Sequence, residues 1–568
     1  MTMQGWQGKV LRIDLDGASA TPEALDPDVA QACIGGRGLA AGYLFKELEP
    51  NVNPLAPQNK LVIAAGPLAG TAAPAGSRYQ VVGKSPLTKR ISCQNAGGHF
   101  GAAIKQAGYD AILIQGKANN PVYVWIENDK IEIRPADGLW GKTTGDAQQS
   151  ISKQIAEGAH VLCIGPAGEV QTPVASISDS GLWSAGGAGL GAVMGSKNLK
   201  AVAIKGAEAV AVADRDRFRA AMRRALKRIQ SEHLTSTRFA AYGTGALVQP
   251  INDRGLLPTE NFRRGTFAAA SKISGEAVAD SLLLRRFACF ACPIGCGRHT
   301  RGNGRGTEIE HLWALGSNCG IDDLSAISQA AHLCYEYGLD PVETGSAIAV
   351  AMELAESGAI SAKDAGRELR FGDATAMVQL VHEISRQEGF GRILAKGGHH
   401  VANAFGNPDT AIGVREHALA AYDPRGNEAL ALHYATSLSG DDHLALGLRL
   451  WDRPLAAAVK QAQDLAAAMG SAGVCPLVSF AIPLEDAAQL LTAATGVDYD
   501  ADGLLLAGER IWNLERAFAL KAGTDAKDRL PARMEQPLQD GPSAGRLTSV
   551  SNHLQSYYQS RGWDVLGL

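Results

Sequence analysis

The chain has 568 residues, with 54 Lys and Arg against 58 Asp and Glu and a formal net charge of −4. A chain of this length divides into two or three domains and buries a large apolar surface without disulfide staples. Its charges are interspersed, which offers no broad basic face to nucleic acid or anionic lipid. The start, MTMQGWQGKVLRIDL, has no cationic leader before an apolar stretch. No run reaches the roughly 18 apolar residues of a membrane span, since AIAVAMELA is broken by Glu353. A cytoplasmic protein is expected, in a reducing compartment where clustered cysteines hold metal rather than form disulfides.

Up to about residue 206 the pattern is that of strands. GKVLRIDL alternates Leu11, Ile13 and Leu15 with Arg12 and Asp14, as a half-buried strand does, while KLVIAAG, DAILIQG, HVLCIG and KAVAIKG are short apolar runs closed by glycine. Three stretches, IGGRGLAAG, NAGGHFGAA and SAGGAGLGAVMG, read either as close-packed turns or as backbone N–H groups facing a bound phosphate. Cys33, Cys93, Cys163, Cys319 and Cys334 stand alone among apolar or small neighbours and are read as core thiols. Beyond 206 the period becomes helical. Asp214 caps a helix whose face carries Phe218, Met222, Ala225 and Ile229, and Asp340-Pro341 opens another. Gly338 and Gly358 end helices, and AYDPRGNEA from Ala421 is a loop.

RRFACFACPIGCGRHT places Cys289, Cys292 and Cys296 in a C-x2-C-x3-C array. One regular helix cannot aim all three sulfurs at a point, so the segment wraps around its metal, and the spacing favours a 4Fe-4S cluster over zinc. The fourth ligand can be distant: Cys475, in GSAGVCPLVSF, is the best remaining candidate, and the nearby His299 is its competitor. In GTEIEHLWALGSN an extended backbone would turn Glu308 and Glu310 to one side, either as a solvated acidic strand or as proton-transfer groups whose pKa is raised beside Leu312, Trp313 and Leu315. GDDHLALG offers His443, as a turn residue or a site residue, and the His399-His400 pair reads as a solvated helix end.

GKVLRIDL, IGGRGLAA, GSRYQVVGKSPLT, NAGGHFGAAIKQAGYDAILIQGKA, GPAGE, GLGAVMGSKNLKA, the cysteine array, AYDPRG, GERIWNLERAF and YYQSRGWDVLG occur in this order along the chain. Together they resemble, end to end, the tungsten-dependent aldehyde ferredoxin oxidoreductases. The resemblance implies an α+β fold: a β-rich cofactor-supporting domain over 1–206, a mainly helical domain over 207–411 with three cluster cysteines, and another over 412–568 with the fourth, Cys475. It implies a tungsten bis-pterin, a magnesium ion between the pterin phosphates and a 4Fe-4S cluster. Arg78 matches the arginine that approaches those phosphates, and Asn95 the residue whose main-chain carbonyl ligates magnesium. Gly97, Gly98, Gly187, Ala188, Gly338, Asp340 and Gly473 fall in the family's cofactor-binding loops, and Glu310 and His443 at its catalytic positions, with Glu308 in reserve. The implied reaction oxidises a small aldehyde to a carboxylate and sends electrons to ferredoxin or an iron-sulfur subunit, in an assembly with itself or a second subunit.

The chain also departs from the family pattern. Gly187-Ala188 stand where Arg-Gly is usual, and Tyr335 and Gly470 replace the leading aspartates of the two pterin loops. No lysine follows His443, and Gln329 and His332 stand where an iron-bridging E-x-x-H pair would be. The shared landmarks leave a different tungsten redox reaction as one alternative, and these losses leave another, a cluster-bearing electron-transfer scaffold without the pterin.

Overall fold

The computed structural model describes residues 3–301, 304–438, 454–524 and 527–567. The first part forms two six-stranded sheets. One combines β1 (Lys9–Asp14), β2 (Ser19–Ala24), β3 (Leu61–Ala65), β4 (Tyr79–Lys84), β5 (Ile91–Ala96) and β6 (Ala111–Gln115) in the order β2-β1-β6-β3-β4-β5. The other combines β7 (Val122–Glu127), β8 (Lys130–Pro135), β9 (His160–Cys163), β10 (Ile177–Asp179), β11 (Trp183–Ala185) and β12 (Leu199–Lys205) in the order β11-β10-β9-β12-β7-β8. All five runs expected as strands are strands: β1, β3, β6, β9 and β12.

Successive side chains on a strand face opposite sides, and the core follows that rule. Leu61 and Ile63 share one core with Val124, Ile126, Val202 and Ile204 of the second sheet. Val62 and Ala64, between and beyond them, pack instead with Leu39, Leu44 and Phe518. The charged position of β1 is also used, Arg12 bridging Glu23 at 2.7 Å and Glu47 at 2.9 Å.

The rest is mainly helical. Asp214 caps the helix Arg215–Ser231 by accepting from the backbone N–H groups of Asp216 and Arg217, and Phe218, Ala225 and Ile229 form its buried face with Met222 at the margin. Asp340 caps Pro341–Glu356 in the same way, accepting from Glu343 N at 2.7 Å. AYDPRGNEA is a loop apart from a short turn of 3-10 helix at Pro424–Gly426 and the helix that starts at Glu428. A contiguous apolar core joins these helices to Leu68, Ala73 and Ala75, so the β-rich part and the helical part meet around the loop that leads into β4. No helix of the described residues is long and apolar enough to cross a membrane.

One buried ion pair locks that junction. Arg37, in the helix Gly36–Glu47, donates to Glu515, in the helix Ala501–Lys521, through two parallel hydrogen bonds of 2.8 Å, with both side chains under 5% exposed. Removing one partner leaves a buried charge, which costs about 3–5 kcal/mol. Glu515→Ala is therefore expected to lower the unfolding free energy by that amount, read as a lower midpoint in denaturant, and an unchanged midpoint would show that the pair contributes nothing.

Candidate functional site

The junction encloses a cavity of about 2040 Å³ of empty space, counting its mouth. Cys289, Cys292, Cys296 and Cys475 all line it, and all are free thiols. The first three lie in the loop between β13 (Leu283–Phe287) and β14 (Gly297–Thr300), which is pinned by Phe290 N donating to Gly98 O at 3.1 Å and Cys292 N to Cys289 O at 3.2 Å. A side chain at Gly297 would strike the Phe287 ring at 2.4 Å, so this loop closes only over glycine. Cys475 arrives from the other side, after the helix Leu455–Ala472. Gly473 caps that helix at φ +84°, and the N-terminal sheet grips the turn: Arg78 N donates to Gly473 O at 2.9 Å, and Cys475 N to Ala75 O at 3.1 Å. His299, the other candidate for fourth ligand, sits opposite Arg285 in the strand pair and is not on the cavity wall.

Burial pushes the Cys289 thiol up to about 11, and burial and then the neighbouring Cys475 thiolate push Cys296 well above its ordinary value. Burial so disfavours the charged form that four thiolates here would need a multivalent positive partner. Among the described residues no group of three His, Cys, Asp or Glu side chains is placed to hold a single metal ion, and the four sulfurs on the cavity wall form the cage. The C-x2-C-x3-C spacing with a fourth cysteine far along the chain suits a 4Fe-4S cluster better than zinc.

Arg78 lies at the seam between cage and cavity. Its Nη2 is 3.4 Å from Cys475 Sγ; burial opposes its charge, but the nearby Cys475 and Cys289 sulfurs favour the charged guanidinium and outweigh that. The guanidinium read from sequence as a phosphate partner thus also faces the sulfurs. Asn95, Gly97, Gly187 and Asp340 line the cavity too. An added Cβ at Gly97 would stand 2.9 Å from Cys289 Sγ, so the glycine is what lets β5 approach the cage. The Asp340 carboxyl is raised by burial.

Four residues expected at the cofactor are not on the wall. Gly98 holds Phe290 through its carbonyl, Ala188 O accepts from Ser85 Oγ at 2.7 Å, Gly338 ends the helix Leu324–Tyr337 against Gly165, and Gly473 caps its helix. They shape the loops and do not line the cavity. His443 lies outside the described residues.

The opposite wall corrects the strand expected at 308–310. Glu308 is the N-cap of a helix, Ile309–Ala314, and Glu310 sits in its first turn; both still line the cavity, because the first turn of this helix borders it. Glu308 is held by Arg305 at 2.9 Å, and although burial disfavours its charge, that cation lowers its pKa overall. Sequence reasoning missed Arg305, His311 and Tyr335, which line the same wall, and His417, whose Nδ1 is 3.6 Å from Glu343 Oε1. The only sequence signal was the departure at Tyr335 from the family's aspartate.

Two other expectations change. His399 is half-buried rather than solvated: the hairpin at 413–418 packs on its ring, an added Cβ at Gly413 would lie 2.7 Å from its Nε2, and burial lowers its pKa to about 4, while His400 is exposed. Cys93 is buried but not inert core, since it lines the cavity and donates to Glu515 at 3.4 Å.

Two family profiles match the chain: "Aldehyde ferredoxin oxidoreductase, N-terminal domain" over residues 10–206 and "Aldehyde ferredoxin oxidoreductase, domains 2 & 3" over residues 220–568. The tungsten-containing aldehyde ferredoxin oxidoreductase of Pyrococcus furiosus is 42% identical, over 99% of this chain and 97% of that protein. The aliphatic sulfonate oxidoreductase, WOR-like subunit, of the same organism is 30% identical over 100% and 96%. Among solved structures, the active site complex BamBC of benzoyl coenzyme A reductase, in complex with 1,5-dienoyl-CoA, superposes with a TM-score of 0.86 at 25% identity, over 99% of this chain and 95% of that one.

Proposed function

Because the chain belongs to the aldehyde ferredoxin oxidoreductase family, we propose that it oxidises an aldehyde to the carboxylate at a tungsten bis-pterin and passes the electrons through a 4Fe-4S cluster to ferredoxin or an iron-sulfur subunit. The observation that carries this reading is the juxtaposition of four cysteines and Glu310 on the walls of one buried cavity.

The residues present fit the implied groups. Arg78 Nε, Asn95 Oδ1, Ser184 Oγ and Arg305 Nε and Nη1 are buried polar atoms of cavity-lining residues with no hydrogen-bond partner in the chain, as expected where a phosphorylated, heteroatom-rich ligand completes the site. Arg78 would take a pterin phosphate, the Asn95 main-chain carbonyl would take magnesium, and the four thiolates would take iron. When bound, the tungsten bis-pterin supplies the two-electron couple and the cluster the one-electron exit.

The chain's own part is to manage protons and position the aldehyde. Aldehyde plus water yields carboxylate, two electrons and three protons, so the cavity must contain a base. Glu310 takes that role because it lines the cavity at the family's catalytic position, while Glu308 caps the helix and neutralises Arg305. The test is elemental analysis of protein purified without oxygen, together with aldehyde-dependent reduction of ferredoxin. About four iron atoms, one tungsten and two pterins per chain are expected. Iron without tungsten or pterin would overturn the reading in favour of a cluster-bearing scaffold.

A further inference from the structure

The hydroxyl of Tyr335 has a polarity that the surrounding backbone fixes. Glu308 N–H donates to His311 Nδ1 at 2.9 Å, so that nitrogen presents its lone pair. Burial lowers the His311 pKa to about 4, so the ring is neutral near pH 7. A neutral imidazole that accepts at Nδ1 carries its hydrogen on Nε2. Nε2 is 2.5 Å from Tyr335 Oη, and its hydrogen must point at that oxygen. The reverse arrangement, with the phenol donating to Nε2, would put a hydrogen on Nδ1 against the Glu308 N–H.

The phenol hydrogen therefore needs a second acceptor, and none of the described residues supplies one to Oη. Tyr335 is 5% exposed and lines the cavity, where an acceptor can come from a ligand. Beside it is a second donor in the same condition. Arg305, 8% exposed, stacks with its Cζ 4.2 Å from the Tyr335 ring centre and spends Nη2 on Glu308, while Nε and Nη1 have no partner. A buried donor without an acceptor is costly, and two on one wall specify a ligand.

We propose that Tyr335 and Arg305 form an oxyanion-binding pair, polarised by His311, that receives a negatively charged or strongly polarised oxygen of the molecule in the cavity. Two sources share that chemistry: the carbonyl or carboxylate oxygen of the substrate and product, and a phosphate or ring oxygen of the cofactor. The pair rests on the reading above only for which of these molecules is present.

Tyr335→Phe removes the hydroxyl and leaves the ring on which Arg305 stacks. A hydrogen bond to a charged group is worth a factor of about 10 to 100 in binding. If the oxygen belongs to substrate and product, acetate titrated calorimetrically into the oxidised holoenzyme binds Tyr335→Phe about 10- to 100-fold more weakly, with pterin and tungsten per chain unchanged. If it belongs to the cofactor, pterin and tungsten per chain fall and are lost faster on dialysis. Arg305→Lys, which keeps the charge but not the planar fork, shifts the same readout in the same direction. Wild-type values for pterin, tungsten and acetate affinity in both variants would overturn the pair. Should the wild-type protein prove free of pterin, the parent reading falls, and the pair is judged on inorganic phosphate and acetate titrated into the wild-type and Tyr335→Phe proteins, with equal affinities overturning it.

Discussion

Glu310→Gln is expected to lower aldehyde turnover by roughly 10²- to 10⁴-fold, the usual contribution of a positioned general base, while iron, tungsten and pterin stay at wild-type content. Glutamine preserves size and polarity, so the helix Ile309–Ala314 should keep its first turn; what is lost is the basic carboxylate that accepts a proton as water adds to the carbonyl. Glu308→Gln is the control. That residue caps the helix and neutralises Arg305, so its loss perturbs the wall, and the rate should drop by less than with Glu310→Gln. Inactive Glu308→Gln beside near-normal Glu310→Gln, at equal tungsten, would mean the wrong carboxylate was chosen. If neither variant slows the reaction, the base is not a carboxylate of this wall.

Cys475→Ser is expected to abolish ferredoxin reduction and to deplete iron as severely as Cys292→Ser, because a 4Fe-4S cluster that loses one of its thiolates exposes a labile iron. Cys163→Ser should keep full iron, since Cys163 is buried on β9, contacts Thr144 O at 3.6 Å and is not on the cavity wall. Iron content and the electron paramagnetic resonance of the reduced protein measure both. Full iron and an unaltered spectrum in Cys475→Ser would remove it from the ligand set and return His299 to consideration.

Local pattern revealed the frame well and the chemistry unevenly. Strands such as Leu61–Ala65 were legible because period-two alternation is a local consequence of burying one face, and Asp214 and Asp340 because a cap acts within three residues. The wall at 308–310 was misread for a related reason. Glu308 and Glu310 were seen as a strand pair, but His311 closes a capping box with the backbone of Glu308, and the apolar Leu312, Trp313 and Leu315 that follow belong to a helix. The Tyr335–His311 bond links residues that no spacing rule relates, and the covering of His399 depends on a hairpin at 413–418. The landmarks for Cys475 and Arg78 came from family resemblance; local spacing alone left His299 in contention.

The grip of the N-terminal sheet on the turn before Cys475 has a consequence for biosynthesis. If the four sulfurs hold one cluster as proposed, three of its ligands leave the ribosome together, but the turn that presents the fourth is held by Ala75 and Arg78, made long before it, and translation at about 5–20 residues per second separates Cys296 from Cys475 by on the order of ten seconds or more. During that interval the nascent chain displays an incomplete, oxidisable thiol triad. On that proposal, complete insertion of the metal awaits the end of translation, when the two ends of the chain can meet, and iron content reports that the long-range closure has succeeded.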